Sequence, residues 1–180
     1  IQKWGNGNTV VTHNPAADFG NKLPELFDCI LVDAPCSGEG MFRKDEGAIV
    51  EWSMKNVQEC AERQCDILDD VWDALKPGGI LIYSTCTFNR EENEKNAQWI
   101  AEELGAEILP IAHDPQWGIT EGKPGYHFYP HKTKGEGFYI CAFRKLGVAK
   151  GAFRIPKQKN PVSETVEFKD IMQSWLLHPD

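Results

Sequence analysis

Residues 27–36 read Phe-Asp-Cys-Ile-Leu-Val-Asp-Ala-Pro-Cys. The near-continuous apolar run through Val32 is the pattern of a strand buried in a parallel sheet. It stops at Asp33-Ala34-Pro35-Cys36, which is turn chemistry. A second stretch repeats the design: Ile80-Leu81-Ile82-Tyr83 runs into Ser84-Thr85-Cys86. Between the two, Val57, Ala61, Leu68, Val71, Trp72 and Leu75 recur at helical spacing, which predicts a helix over Lys55 to Leu75. Lys76-Pro77-Gly78-Gly79 is the expected stop. Outward from this core, Thr9-Val10-Val11-Thr12 reads as a short β-branched strand. Asn89 is placed to cap a helix, with Glu92 completing a capping box and Ala97, Ile100 and Leu104 facing inward. Strands are expected at 106–109 and 137–143. Strands alternating with helices predict an α/β layer fold with a mainly parallel sheet.

In open sheets of this kind ligands sit beyond the carboxyl ends of the strands. If the strands ending at Val32 and Tyr83 are neighbours, Asp33, Cys36 and Cys86 face one crevice. That would place a carboxylate and two thiols together.

The chain has six cysteines, at 29, 36, 60, 65, 86 and 141. None forms a Cys-x-x-Cys pair, so zinc and thiol-redox readings are weak and no metal is expected. Cys60 and Cys65 fall in the helical pattern. Cys29 and Cys141 fall in strand-like runs and read as small core residues. Cys36 and Cys86 differ, because both sit at strand ends.

Composition narrows the function. With 180 residues and 41% hydrophobic side chains the chain can bury a core and is not a disordered polymer. No run of about 20 apolar residues is present to span a bilayer. No signal-peptide pattern opens the sequence, so reduced thiols and a cytoplasmic location are expected. The formal net charge of −8 would argue against a nucleic-acid partner if it were evenly spread. It is not. Residues 123–159 hold 9 basic and one acidic side chain, a local +8 in an acidic chain. Neither Gly-x-Gly-x-x-Gly nor Gly-x-x-x-x-Gly-Lys-Ser/Thr occurs, so no phosphate cradle is encoded.

Asp33-Ala34-Pro35-Cys36-Ser37-Gly38-Glu39-Gly40, continuing through Phe42-Arg43-Lys44-Asp45, resembles the Sun-type (NSUN-like) RNA cytosine-5 methyltransferases. Leu75-Lys76-Pro77-Gly78-Gly79 matches a turn common among S-adenosylmethionine-dependent methyltransferases. The likeness is strongest at Tyr83-Ser84-Thr85-Cys86-Thr87-Phe88-Asn89-Arg90-Glu91-Glu92-Asn93-Glu94. It returns at Pro130-His131-Lys132-Thr133-Lys134-Gly135-Glu136-Gly137-Phe138-Tyr139. It covers roughly residues 1–146 and is nearest to the bacterial group acting on small-subunit ribosomal RNA.

The resemblance implies a Rossmann-like class I methyltransferase fold that starts part-way through the domain. Residues 1–146 would be the C-terminal part of the catalytic domain, lacking the glycine-rich cofactor loop and inactive alone. Residues 147–180 would be a linker toward a C-terminal RNA-binding domain. The implied reaction moves a methyl group from S-adenosylmethionine to carbon 5 of a cytosine in RNA, with ribosomal RNA as partner and no membrane. A monomer is the default. The implied nucleophile is Cys86, and Cys36 would assist product release. Asp33, with Pro35 beside it, would touch the cofactor and orient the base. Asn14 stands where the family usually has an adenine-contacting Asp, and it reads equally as an Asx turn before Pro15. Arg43, Lys44, His131, Lys132 and Lys134 are the candidates for RNA phosphates. Tyr126, His127, Phe128 and Tyr129 would stack on a base or pack at a strand edge. Glu91 and Glu92 read as helix capping and dipole residues. The alternative is a non-catalytic, RNA-binding piece of such an enzyme.

Overall fold

The structure, a computed structural model, describes residues 9–148. The chain divides into two compact units, Pro15–Phe153 and a second made of Ile1–Asn14 with Arg154–Asp180. Of the second unit only residues 9–14 are described. They have no regular secondary structure, so the strand expected at Thr9–Thr12 is not formed. β-branched residues favour an extended backbone, but a strand exists only where a neighbour supplies ladder hydrogen bonds. The linker expected at 147–180 lies almost wholly outside the described residues.

The larger unit opens with helix α1 (Ala16–Lys22). Strand β1 (Phe27–Asp33) is followed by a 3₁₀ turn (Glu39–Arg43) and the short helix α2 (Glu46–Glu51). The long helix α3 (Met54–Trp72) starts where Ser53 Oγ accepts the Asn56 amide at 3.1 Å, an N-cap bond. Its buried positions Val57, Cys60, Gln64 and Leu68 form one stripe. It ends before the Pro-Gly-Gly segment, which belongs to strand β2 (Leu75–Thr85). A π-helical turn (Glu91–Lys95) leads into α4 (Asn96–Glu102). Four further strands follow: β3 (Ala106–Leu109), β4 (Thr120–Glu121), β5 (Tyr126–Phe128) and β6 (Phe138–Lys145).

The sheet order is β1-β2-β6-β5-β4, and β3 also pairs with β6. β1 and β2 are parallel, joined by the α3 crossover, with Asp33 opposite Ser84. Every other pair is antiparallel, so the mainly parallel sheet expected from sequence is corrected to a mixed one. For β4, β5 and β6 the reason is connection length: segments 122–125 and 129–137 suit antiparallel returns, whereas a parallel return needs a crossover of about a dozen residues or more.

Leu68 from α3, Leu75, Leu81 and Tyr83 from β2, Ala97 and Ile100 from α4, and Tyr139, Cys141 and Phe143 from β6 pack as one core. Burying each large side chain is worth roughly 1.5–3 kcal/mol. β1 departs from expectation. Only Val32 in it is buried, Leu31 is 62% exposed, and Cys29 is exposed rather than a core thiol. The apolar run fits a central strand, but among the described residues β1 is the sheet's edge.

Candidate active site

The parallel β1–β2 pair brings two strand ends together. Beyond Asp33 and Ser84, Ala34 N–H donates to Ser84 O at 2.9 Å, so the ladder continues into the turns. Gly40 N–H then donates to Cys86 O at 2.8 Å, drawing the loop after Cys36 across the residue that follows β2. A Cβ at Gly40 would lie 2.5 Å from Cys86 O, so this approach requires glycine. The outcome is a hydrogen bond between the Cys36 and Cys86 sulfurs at 3.0 Å. The two strand ends and their cysteines are therefore brought together, as inferred.

The pair is electrostatically unequal. The hydrogen bond from Cys36 lowers the Cys86 thiol from 9.0 to about 7, although burial and the charges of Asp33 and Glu92 push the other way. Cys36 is held far above the ordinary thiol range, chiefly by that same bond and then by burial. Of the two thiols Cys86 is therefore the more acidic, the one that ionises first. Both side chains are partly open to solvent. A lowered, accessible thiolate is the reactive form of cysteine.

Asp33 is exposed, and one carboxylate oxygen accepts Ser84 Oγ–H at 2.9 Å. Pro35 is also exposed, and its carbonyl accepts Gln64 Nε2–H at 2.9 Å. Asn14 belongs to the other unit. Arg43 and Lys44 lie at the end of the 3₁₀ turn after the Cys36 loop, and both are exposed, as are His131, Lys132 and Lys134. Lys44 forms an ion pair with Glu136, and Lys132 Nζ donates to Thr120 Oγ1 at 2.9 Å.

The aromatic segment is only in part a surface. His127 is 3% exposed, with Nε2 2.9 Å from Glu94 Oε1, so it is not open to a base. Tyr129 stacks on His127 at 5.0 Å and also approaches His131 and Phe88. Tyr126 Oη accepts the Ile111 amide at 2.8 Å, and Phe128 packs edge-on against Phe138.

Two carboxylates in the quoted motifs have roles that the motifs alone did not reveal. Glu39 accepts the amides of Phe88 and Asn89 at 2.7 and 3.0 Å, Asn89 Nδ2 at 3.1 Å and Trp52 Nε1 at 3.1 Å. Glu92 is fully buried and accepts Ser37 N–H at 2.9 Å, Gln64 Nε2–H at 2.8 Å, Asn89 Nδ2–H at 2.7 Å and the Ser37 hydroxyl. The expected capping box is half correct: Asn89 Oδ1 accepts Glu92 N–H at 2.9 Å, but the Asn89 amide goes to Glu39. Glu91 pairs with Lys95 at the surface. A signal existed in that Ser37, Glu39 and Glu92 all lie inside the two cysteine motifs. Among the described residues no helix is long and apolar enough to cross a membrane, and no cluster of three His, Cys, Asp or Glu side chains could hold a metal ion.

The chain is similar to known proteins. A ribosomal RNA small subunit methyltransferase F from Escherichia coli O9:H4 (strain HS) is 42% identical over 163 residues, covering 88% of this chain and 34% of that protein. The protein of the same name from Aliivibrio fischeri (strain MJ11) is 40% identical over 81% of this chain and 32% of its own length. The chain thus spans about a third of the length of the curated relatives it matches. Among solved structures, a methyltransferase homolog protein from Pyrococcus horikoshii has a TM-score of 0.62 and 32% identity, covering 77% of this chain and 45% of that one. NSun6 from Pyrococcus horikoshii, solved with SFG, has a TM-score of 0.64 and 26% identity, covering 80% and 36%. These likenesses make the mixed sheet part of a Rossmann-like class I methyltransferase fold. The family model for 16S rRNA methyltransferase RsmB/F matches residues 1–144, and the chain belongs to that family.

Proposed function

We propose that this chain serves in transferring a methyl group to carbon 5 of a cytosine in ribosomal RNA, through a covalent bond to Cys86. The observation that carries the reading is the 3.0 Å Cys36–Cys86 pair at the ends of adjacent parallel strands, with Cys86 the more acidic of the two. Family membership supports RNA methylation as the reaction class.

Carbon 5 of cytosine is a poor nucleophile, so a methyl transfer there must first be made easier. The Cys86 thiolate adds to carbon 6, forming a carbon–sulfur bond and an electron-rich carbon 5. Carbon 5 would then take a methyl group from a sulfonium donor, the electron pair of the broken bond remaining on the donor sulfur. Loss of the carbon 5 proton and breakage of the carbon–sulfur bond return the aromatic ring and the Cys86 thiolate. One hard step becomes several easier ones. Cys36, hydrogen-bonded to Cys86, would assist that last release. Asp33 is held by the Ser84 hydroxyl at the end of β1, and in this reading it orients the target base.

The methyl donor in this reading is S-adenosylmethionine, which supplies an electrophilic methyl group when bound. The residues present fit it: an exposed carboxylate, Asp33, ends a parallel strand, and Pro35 stands exposed beside it. Asp33 would meet the positively charged methionine side. The solved relative with SFG, an S-adenosylmethionine analogue, supports the choice. The +8 segment supports RNA as partner, with Arg43, Lys44, His131, Lys132 and Lys134 facing phosphates. A base within a structured RNA must leave its stack to reach a thiolate set between two strand ends.

The test is methyl transfer to ribosomal RNA by the full-length protein. Cys86→Ser is expected to abolish it, and product digestion should find the wild-type methyl group on cytosine carbon 5. Full activity in Cys86→Ser, or a methyl group on another atom, would overturn the assignment.

A further inference from the structure

We propose that Glu92 is a positioning residue for the cysteine pair, its buried carboxylate holding the Cys36 loop against the segment that follows Cys86. The inference rests on the reading of Cys86 as nucleophile and Cys36 as its partner.

The bonding leads from Glu92 to residues that flank both cysteines. On one side it accepts the amide and the hydroxyl of Ser37, the residue next to Cys36. Gln64 Nε2, which also donates to Glu92, binds the carbonyl of Pro35 at 2.9 Å. Both neighbours of Cys36 are therefore tied to one carboxylate. On the other side Asn89 is held twice, by its Nδ2 to Glu92 Oε1 and by the Glu92 amide to its Oδ1. Asn89 Nδ2 reaches Thr87 Oγ1 at 2.8 Å, next to Cys86. Four donors match the four acceptor sites of an ionised carboxylate. Replacing one partner in such a buried network leaves other groups unsatisfied, which is why the network can fix geometry.

Capping alone does not account for this. A helix-capping carboxylate sits at the surface and needs one or two partners, whereas Glu92 is fully buried with four donors around it. Nor does its charge help the thiolate through space. Glu92 is one of the groups that raise the Cys86 thiol, and Asp33 is another, while the bond from Cys36 lowers it. Glu39 also faces this segment, through the Phe88 and Asn89 amides. The two possible roles of Glu92 thus have opposite signs. Acting by position it preserves the Cys36 bond and keeps Cys86 acidic. Acting only by charge it makes Cys86 less acidic.

The experiment is the pH dependence of iodoacetamide alkylation at Cys86 in the full chain, read by peptide mass mapping. In the wild type the midpoint is expected at about 7. Glu92→Gln keeps the volume but turns an NH₂ group on the Ser37 and Gln64 donors. Its midpoint is expected to rise toward the ordinary 9.0, with a rate loss at pH 7 of up to about fifty-fold if the Cys36 bond is lost. An unchanged midpoint, or one below about 7, overturns the inference. If Glu92→Gln does not fold by circular dichroism, Ser37→Ala is measured instead. It keeps the amide bond and loses the hydroxyl, so a smaller rise is expected and no rise overturns the inference. A wild-type midpoint already at 9.0 would count against the activated cysteine pair, not against Glu92 alone.

Discussion

At the residue scale the site is a proton placed between two sulfurs. Cys86 gains acidity mainly from the bond to Cys36, so removing that donor is the direct perturbation. Cys36→Ala is expected to move the Cys86 alkylation midpoint up from about 7, slowing alkylation at neutral pH while leaving it nearly unchanged above pH 9. The sign follows from the thiolate being the reactive form: a raised thiol loses thiolate at neutral pH and regains it only as pH climbs. A Cys36→Ala midpoint that stays at about 7 would show that Cys36 does not activate Cys86. The adjacency of Asp33, Cys36 and Cys86 was legible in the sequence because apolar runs ending in turn residues mark strand ends. The role of Glu92 was not. A Glu three residues after a capping Asn has a sufficient local explanation, and only the fold shows that its side chain turns inward to Ser37.

At the element scale the two cysteine loops are set by one parallel strand pair and one close crossing. Gly40 lies on Cys86 O with no room for a side chain. Gly40→Ala is therefore expected to push the loops apart and reduce Cys86 alkylation at pH 7 several-fold, by the same rapid-alkylation measurement. An unchanged rate would mean that the crossing does not control the sulfur pair. The layer beneath is ordinary packing: Leu68 on α3 is fully buried against β2 and α4. Leu68→Ala should cost about 2–5 kcal/mol in urea denaturation, as deletions of this size do in cores. The helices α3 and α4 and the long strands were legible from period and apolar content, whereas the short helices α1 and α2 were not. β1 misled, because the same apolar run fits a central strand and an edge strand. The antiparallel β5–β6 return was not legible either, since periodicity gives a strand's existence and never its direction. His127 shows the same limit: it sits in an aromatic, basic stretch, yet β5 turns it inward to Glu94.

At the scale of the whole molecule the net charge of −8 conceals an acidic majority and a basic segment. The exposed cations Arg43, Lys132 and Lys134 stand on or after the loops next to the cysteines in sequence and strand order. If they face phosphates, Arg43→Ala and Lys134→Ala should each weaken RNA binding and reduce the slope of log K against log salt by about 0.7, the single-strand value per contact. An unchanged slope would remove that residue from the interface. Chemistry and binding meet in one observable, the bond between protein and RNA. In the full-length protein, Cys36→Ser should release methylated RNA poorly and accumulate a covalent protein–RNA adduct, because Cys36 no longer assists the break from carbon 6. Peptide mass mapping of that adduct is expected to find the nucleotide on Cys86. An adduct on Cys36 or another residue in the wild type, or no adduct in Cys36→Ser with methylation unimpaired, would contradict the roles given to the two cysteines.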